Sequence, residues 1–182
     1  VNKQLEVTPS FKRPPFLYYF FQLFGATLFI CLVLFMMDTY ALNKILWAVG
    51  ASSLASSTYG VFMHPYGLPS KPKNIFIGYT MAVMVGELIR FIMLLGYHWI
   101  DQKPWSYLPT GSSLWIAAAI SVTCVMMLMA LFDIEHPPAS GLALVLVVEF
   151  CRHDMVEMIY AFMLLLCLIQ LIAKPHMRDL LR

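Results

Sequence analysis

The sequence predicts an all-α membrane protein with about six membrane segments, built as two three-segment halves of opposite orientation. Three observations carry this. Hydrophobic residues make up 60% of the chain and charged residues only 12%, against about 25% in an ordinary soluble domain. The mean hydropathy is +0.75. The apolar residues are gathered into long runs, and each half of the chain reads as a long run, a short run rich in small residues, and a second long run. The expected layout is a cytoplasmic N-terminal segment (1–15), one transmembrane domain (16–173, with repeats over 16–97 and 113–173), and a cytoplasmic tail (174–182).

Taken in order, Lys12, Arg13, Pro14 and Pro15 precede an apolar run from Phe16 to Met37. That run is too long for a signal-peptide core and is expected to be retained as a spanning helix. The second run, Ile45 to Met63, contains Gly50, Ala51, Ser52, Ser53, Ala55, Ser56, Ser57, Thr58 and Gly60. Such a segment packs against protein, because small residues let backbones approach and hydroxyls need partners. A proline-punctuated basic loop follows, Pro65 to Asn74, carrying Lys71 and Lys73. In the third run, Ile75 to Tyr97, Gly78, Ala82 and Gly86 fall four apart on one helix face. This is a close-packing seam, suited equally to a contact within the chain or between copies. Glu87 and Arg90 in the same run can pair along the helix. At membrane depth such groups are candidates for a proton or charge relay. His98 to Ser112, with Trp99, Trp105 and Tyr107, reads as a loop at the membrane boundary.

The second half repeats the scheme. A run from Ser113 to Phe132 leads through Asp133 and Glu135 to His136-Pro137-Pro138-Ala139-Ser140-Gly141. The first proline holds His136 in extended geometry, and the second suits the first position of a helix. The apolar stretch Pro138 to Phe150 is only about 20 Å long as a helix, against a hydrocarbon core of about 30 Å. A helix beginning inside an apolar region presents backbone N–H groups and the positive end of its dipole, which suits an anion. The last run is Val156 to Ala173.

If both short segments cross, Lys3, Lys12, Arg13, Lys71, Lys73, Lys174, Arg178 and Arg182 fall on one side and Lys44, Lys103 and Arg152 on the other. If both are re-entrant, the split is seven to four. The positive-inside rule favours six crossings with cytoplasmic termini. Cys31, Cys124, Cys151 and Cys167 show no metal spacing and are expected to be buried apolar residues. The thirteen methionines read as core filler. With no HExxH, no nucleophile elbow and no paired carboxylates, an enzyme is not expected, nor any metal, cofactor or nucleic-acid partner.

The two signatures together resemble the HPP family of integral membrane proteins, named for its His-Pro-Pro motif, here His136-Pro137-Pro138. The resemblance covers nearly the whole membrane region. The family's first signature is a small-residue segment, then Pro-x-Ser-Pro-Leu-Ala-Gln-Pro-Arg-Asn, then a helix with an early glycine. Pro65, Pro72, Asn74 and Gly78 keep that pattern, while Lys71, Lys73 and Tyr79 replace its Gln, Arg and frequent His. In the second signature Ala-Gly-Ala-Thr becomes Ala139-Ser140-Gly141-Leu142.

The resemblance implies a bacterial-type inner-membrane transporter of a small inorganic anion, nitrite first. The expected binding set is Ser52, Ser53, Ser56, His136, Pro138, Ala139, Ser140 and Gly141, where the backbone N–H groups of both short segments would face each other near mid-membrane. Glu87, Arg90 and Glu135 are candidates for a relay, and Lys71 and Lys73 for attracting anions to the mouth. A sensor or scaffold subunit without transport, or a channel for another small solute, are the alternatives.

Overall fold

The computed structural model describes residues 15–40, 44–100, 102, 111–148 and 153–180. All secondary structure there is helical: α1 (Phe16–Tyr40), α2 (Lys44–Met63), α3 (Pro72–Ile100), α4 (Ser112–Leu131), α5 (Pro138–Val148) and α6 (His153–Ala173), with 3-10 turns at Leu68–Ser70 and Lys174–His176. Helices are what apolar runs must form in lipid, where each backbone N–H and C=O has to be satisfied within its own segment. Four of them are long and apolar enough to cross a membrane, over Phe16–Thr39, Pro72–Ile100, Ser113–Leu131 and Val156–His176. The N-terminal segment through residue 14, the loop holding Trp105 and Tyr107, and Arg152 lie outside the described residues.

Side-chain bonds give the helix directions. Gln22, near the start of α1, donates to the Phe62 carbonyl at the end of α2 (2.6 Å) and to the Arg178 carbonyl after α6 (2.9 Å). At the other end of α1, Met37 lies 3.3 Å from where a Cβ on Gly50 would sit. So α2 runs antiparallel to α1 as one unbroken helix of 20 residues, about 30 Å long. The expectation of free N–H groups around Ser52 and Ser53 therefore fails, because both sit mid-helix with their amides in the helical ladder. The tail returns to the same end. The Leu180 amide donates to the Met63 carbonyl (3.0 Å), the Arg178 amide to Gln22 Oε1 (3.0 Å), and Tyr19 to the Leu180 carbonyl (3.2 Å).

Helix α5 lies at the centre, packed on α2, α3 and α4. Ala139, Leu142, Ala143, Val145, Leu146 and Val147 are all buried. The glycine seam of α3 seats it. A Cβ on Gly78 would fall 2.9 Å from His136 Cβ, and one on Gly86 would fall 2.8 Å from Leu146 Cβ and 3.1 Å from the Ala143 carbonyl. Residue numbers rise together along both helices, so α5 runs parallel to α3. The seam is thus an internal contact, not one between copies. Outward faces are large and apolar, with Phe20, Phe24 and Phe35 on α1, Ile116 and Leu131 on α4, and Leu168 and Ile172 on α6 exposed. That is the pattern of helices facing lipid. Cys31 is exposed on this surface, correcting the expectation that every thiol is buried, while Cys167 is buried as expected.

The seam makes a direct prediction. Gly86→Ala forces a methyl into the α3–α5 contact and should destabilise the protein by about 1–3 kcal/mol. Gly96→Ala, where a Cβ meets nothing within 4 Å, should be neutral or stabilising by about 0.5–1 kcal/mol through helix propensity. Thermal unfolding of both variants in detergent checks the contrast, and equal effects would refute the packing role.

Candidate functional site

The site begins with His136. Pro137 fixes its extended backbone, and α5 starts two residues later at Pro138. The ring is buried, 1% exposed, and both nitrogens are engaged. Nδ1 lies 3.0 Å from the Pro69 carbonyl in the turn before α3, and Nε2 lies 3.0 Å from Ser57 Oγ on α2. A carbonyl only accepts, so Nδ1 carries a proton; with the ring neutral, Nε2 accepts from Ser57. The ring also packs beside Tyr79 of α3, with centroids 5.3 Å apart.

From Ser57 the polar contacts continue. Its Oγ is 2.9 Å from the Tyr79 hydroxyl, which is 3.0 Å from Ser53 Oγ, which donates to the Pro138 carbonyl at 2.9 Å. Ser57 also lies 3.2 Å from the Ser53 carbonyl. Ser53 and Ser57 are one turn apart on α2, so both hydroxyls face Tyr79. These polar groups are buried together because α3 approaches the His136 segment at Gly78, beside Tyr79. Buried hydroxyls without partners would each cost about 1–3 kcal/mol, and this chain supplies the partners.

On the outer side of Ser53 lies a recess of about 290 Å³, lined by Ser52, Ser53, Ser56, Pro137, Pro138, Ser140 and Gly141. Six of the eight expected binding residues line it. The other two behave differently: Ala139 is fully buried in the core, and His136 reaches the recess only through Ser57, Tyr79 and Ser53. Ser52, Ser56, Pro137 and Gly141 are exposed, so the recess is open on one side. Among the described residues, none that lines it is charged. A second recess of about 210 Å³, sharing Pro137 and Ser140, is lined by Met126, Met129, Ile134, Glu135 and His136. A larger groove of about 550 Å³ between α1, α2 and α6 is almost wholly apolar and lies away from these side chains.

The start of α5 corrects one expectation. The Ala139 and Ser140 amides donate to the His136 and Pro137 carbonyls, both at 3.1 Å, and Pro138 has no N–H. The helix end therefore does not present the row of free amides that its sequence suggests. The groups able to turn toward a ligand are hydroxyls. Ser140 Oγ donates to the Pro137 carbonyl at 2.7 Å, which already accepts the Ser140 amide, so its rotation leaves no orphaned acceptor.

The remaining expected residues are not brought to this site. Glu87 and Arg90 form a loose pair at 3.5 Å along α3 and line neither recess. Lys71 and Lys73 are exposed around the start of α3, also outside both. Glu135 alone of the relay candidates borders one, beside His136. Sequence reasoning missed Tyr79 and Ser57 as site residues and Pro69 as the His136 acceptor. The signal for the first two was present: Ser57 stands four after Ser53, and Tyr79 stands next to a seam glycine.

The network yields a stability prediction. Ser57→Ala leaves His136 Nε2 without its donor and should cost about 1–3 kcal/mol. Ser56→Ala, on the exposed side, should stay within about 0.5 kcal/mol. Comparing their thermal unfolding in one detergent is the check.

Against known proteins, the family described as HPP, transmembrane region, matches residues 11–176. No curated protein and no solved structure matches the chain.

Proposed function

The chain belongs to the HPP family of membrane proteins, and on that premise we propose that it carries a small inorganic anion, nitrite first, across the membrane through the recess between α2 and α5. The observation that carries this reading is the meeting of the two small-residue segments, with Ser53 Oγ on the Pro138 carbonyl at 2.9 Å and a recess bounded by serines from both. The anion would be held by rotated hydroxyls of Ser52, Ser53, Ser56 and Ser140, helped by the positive end of the α5 dipole. A site with no Lys or Arg among the described residues suits a carrier, because an unscreened ion pair in low dielectric would hold the anion too firmly to release it.

The helix directions support a six-crossing chain of two inverted halves. Helix α2 runs against α1, α5 runs with α3, and the tail after α6 meets the start of α1. A discontinuous central helix near mid-membrane is where repeat-built transporters hold substrate. Lys71, Lys73, Lys174 and Arg178 place positive charge around the end where α3 starts and α6 stops, which supports a cytoplasmic assignment for that end.

Proteoliposomes loaded with a nitrite-sensitive reporter test the reading. The wild-type chain should give saturable nitrite uptake. Ser140→Leu, which fills the recess, should lower uptake at least tenfold while the protein still elutes as the wild type does. Nitrite binding without flux would instead favour a sensor, and uptake that never saturates would favour a channel. Unchanged uptake by Ser140→Leu would remove the site from this recess.

A further inference from the structure

The buried chain from Pro69 to Pro138 is one proton short. It has five contacts in series: Pro69 carbonyl to His136 Nδ1, Nε2 to Ser57, Ser57 to Tyr79, Tyr79 to Ser53, and Ser53 to the Pro138 carbonyl, all between 2.9 and 3.0 Å. Each contact needs one proton. Both termini are carbonyls, which bring none. A neutral imidazole brings one proton and the three hydroxyls bring three, making four for five contacts. The side contact from Ser57 to the Ser53 carbonyl adds another acceptor and no proton. One oxygen pair in the neutral chain therefore faces lone pair to lone pair, and the gap moves along the chain as the hydroxyls turn. A fifth proton, placed on His136, closes it.

We infer that the protein takes up a proton on His136 together with its anion, so that the bound unit is neutral. This rests on the anion reading above and adds the coupling ion to it. An anion in the recess accepts from Ser53, replacing the Pro138 carbonyl as the end of the chain. Ser53 then accepts from Tyr79, Tyr79 from Ser57, and Ser57 from the imidazolium Nε2–H, while Nδ1–H stays on Pro69. Every hydroxyl donates once in one direction, and positive charge at one end answers negative charge at the other. The proton comes from solvent and no covalent bond other than N–H is formed. In the empty site no carboxylate is bonded to either ring nitrogen, so a buried imidazolium would lack a direct counter-charge and the neutral ring is favoured; proton and anion therefore enter or leave together.

The other ionisable groups around this chain do not supply that charge. Tyr79 is part of it. Glu135 borders the same recess as His136, but it is exposed and bonds neither ring nitrogen, so it is no direct partner for the ring. Cys167 of α6 directs its thiol to the Pro72 carbonyl at 3.7 Å. Among the described residues, no Lys or Arg lines either recess.

The test is calorimetric titration of the purified full chain with nitrite at mildly alkaline pH, in two buffers of different ionisation enthalpy. The difference gives protons taken up per anion, expected to be about one, with affinity rising about tenfold for each unit fall in pH over that window. His136→Gln has no titrating ring, and Tyr79→Phe cuts the chain in the middle; both should bring the proton number near zero. Either variant serves if the other fails to fold, as judged by elution and thermal unfolding. Anion binding by the wild type without proton uptake, or an unchanged proton number in the variants, overturns the inference and leaves transport standing. Binding with proton uptake but no liposome flux does the reverse. No nitrite binding at all overturns both.

Discussion

The structure turns on a single buried side chain. His136 joins the turn before α3, through Pro69, to the middle of α2, through Ser57. It also occupies the space left by the missing Cβ of Gly78. Three elements are thereby held around the start of α5. A ring with two polar atoms and a flat apolar body suits such a position, because each nitrogen finds a partner while the faces pack. Pro137 prevents the helix from extending back through His136, and so fixes the level at which α5 begins.

That level explains the shape of the recess. If α5 began a turn earlier, it would present continuous helix to α2, and Ser53 would meet side chains instead of the Pro138 carbonyl. Because it begins where it does, the carbonyls and hydroxyls of two helices meet across a small opening. The polarity there is neutral and adjustable, built from hydroxyls that can reverse direction. Fixed charge is kept elsewhere, with Lys71 and Lys73 around the start of α3 and the Glu87–Arg90 pair farther along it. On the proposed transport reading, this separation would let an ion be recognised without being trapped.

Much of this was legible in the sequence. Apolar run lengths located α1, α4 and α6, because crossing a bilayer imposes length directly. Pro138 located the start of α5, and the four-residue spacing of Gly78, Ala82 and Gly86 marked a close-packing face on α3 without saying that α5 would be what packs there. The partnership of the two small-residue segments was legible from their matching positions in the two halves. Amide accounting was not. Ser52 and Ser53 sit within an unbroken helix, because serines and glycines do not by themselves interrupt one when neighbours supply packing, and the first amides of α5 are used by carbonyls just before it. The roles of Tyr79 and Ser57 depend on which residues share a buried face across three helices, and the pairing of those helices is set by tertiary packing.

The most direct measurement is anomalous diffraction from crystals of the protein soaked in bromide, a monovalent anion visible by its own scattering. A peak within hydrogen-bond distance of Ser53 Oγ and Ser140 Oγ, lost when nitrite is added, is the predicted result. Peaks confined to the surface lysines, with a lipid chain or no anion between α2 and α5, would contradict it.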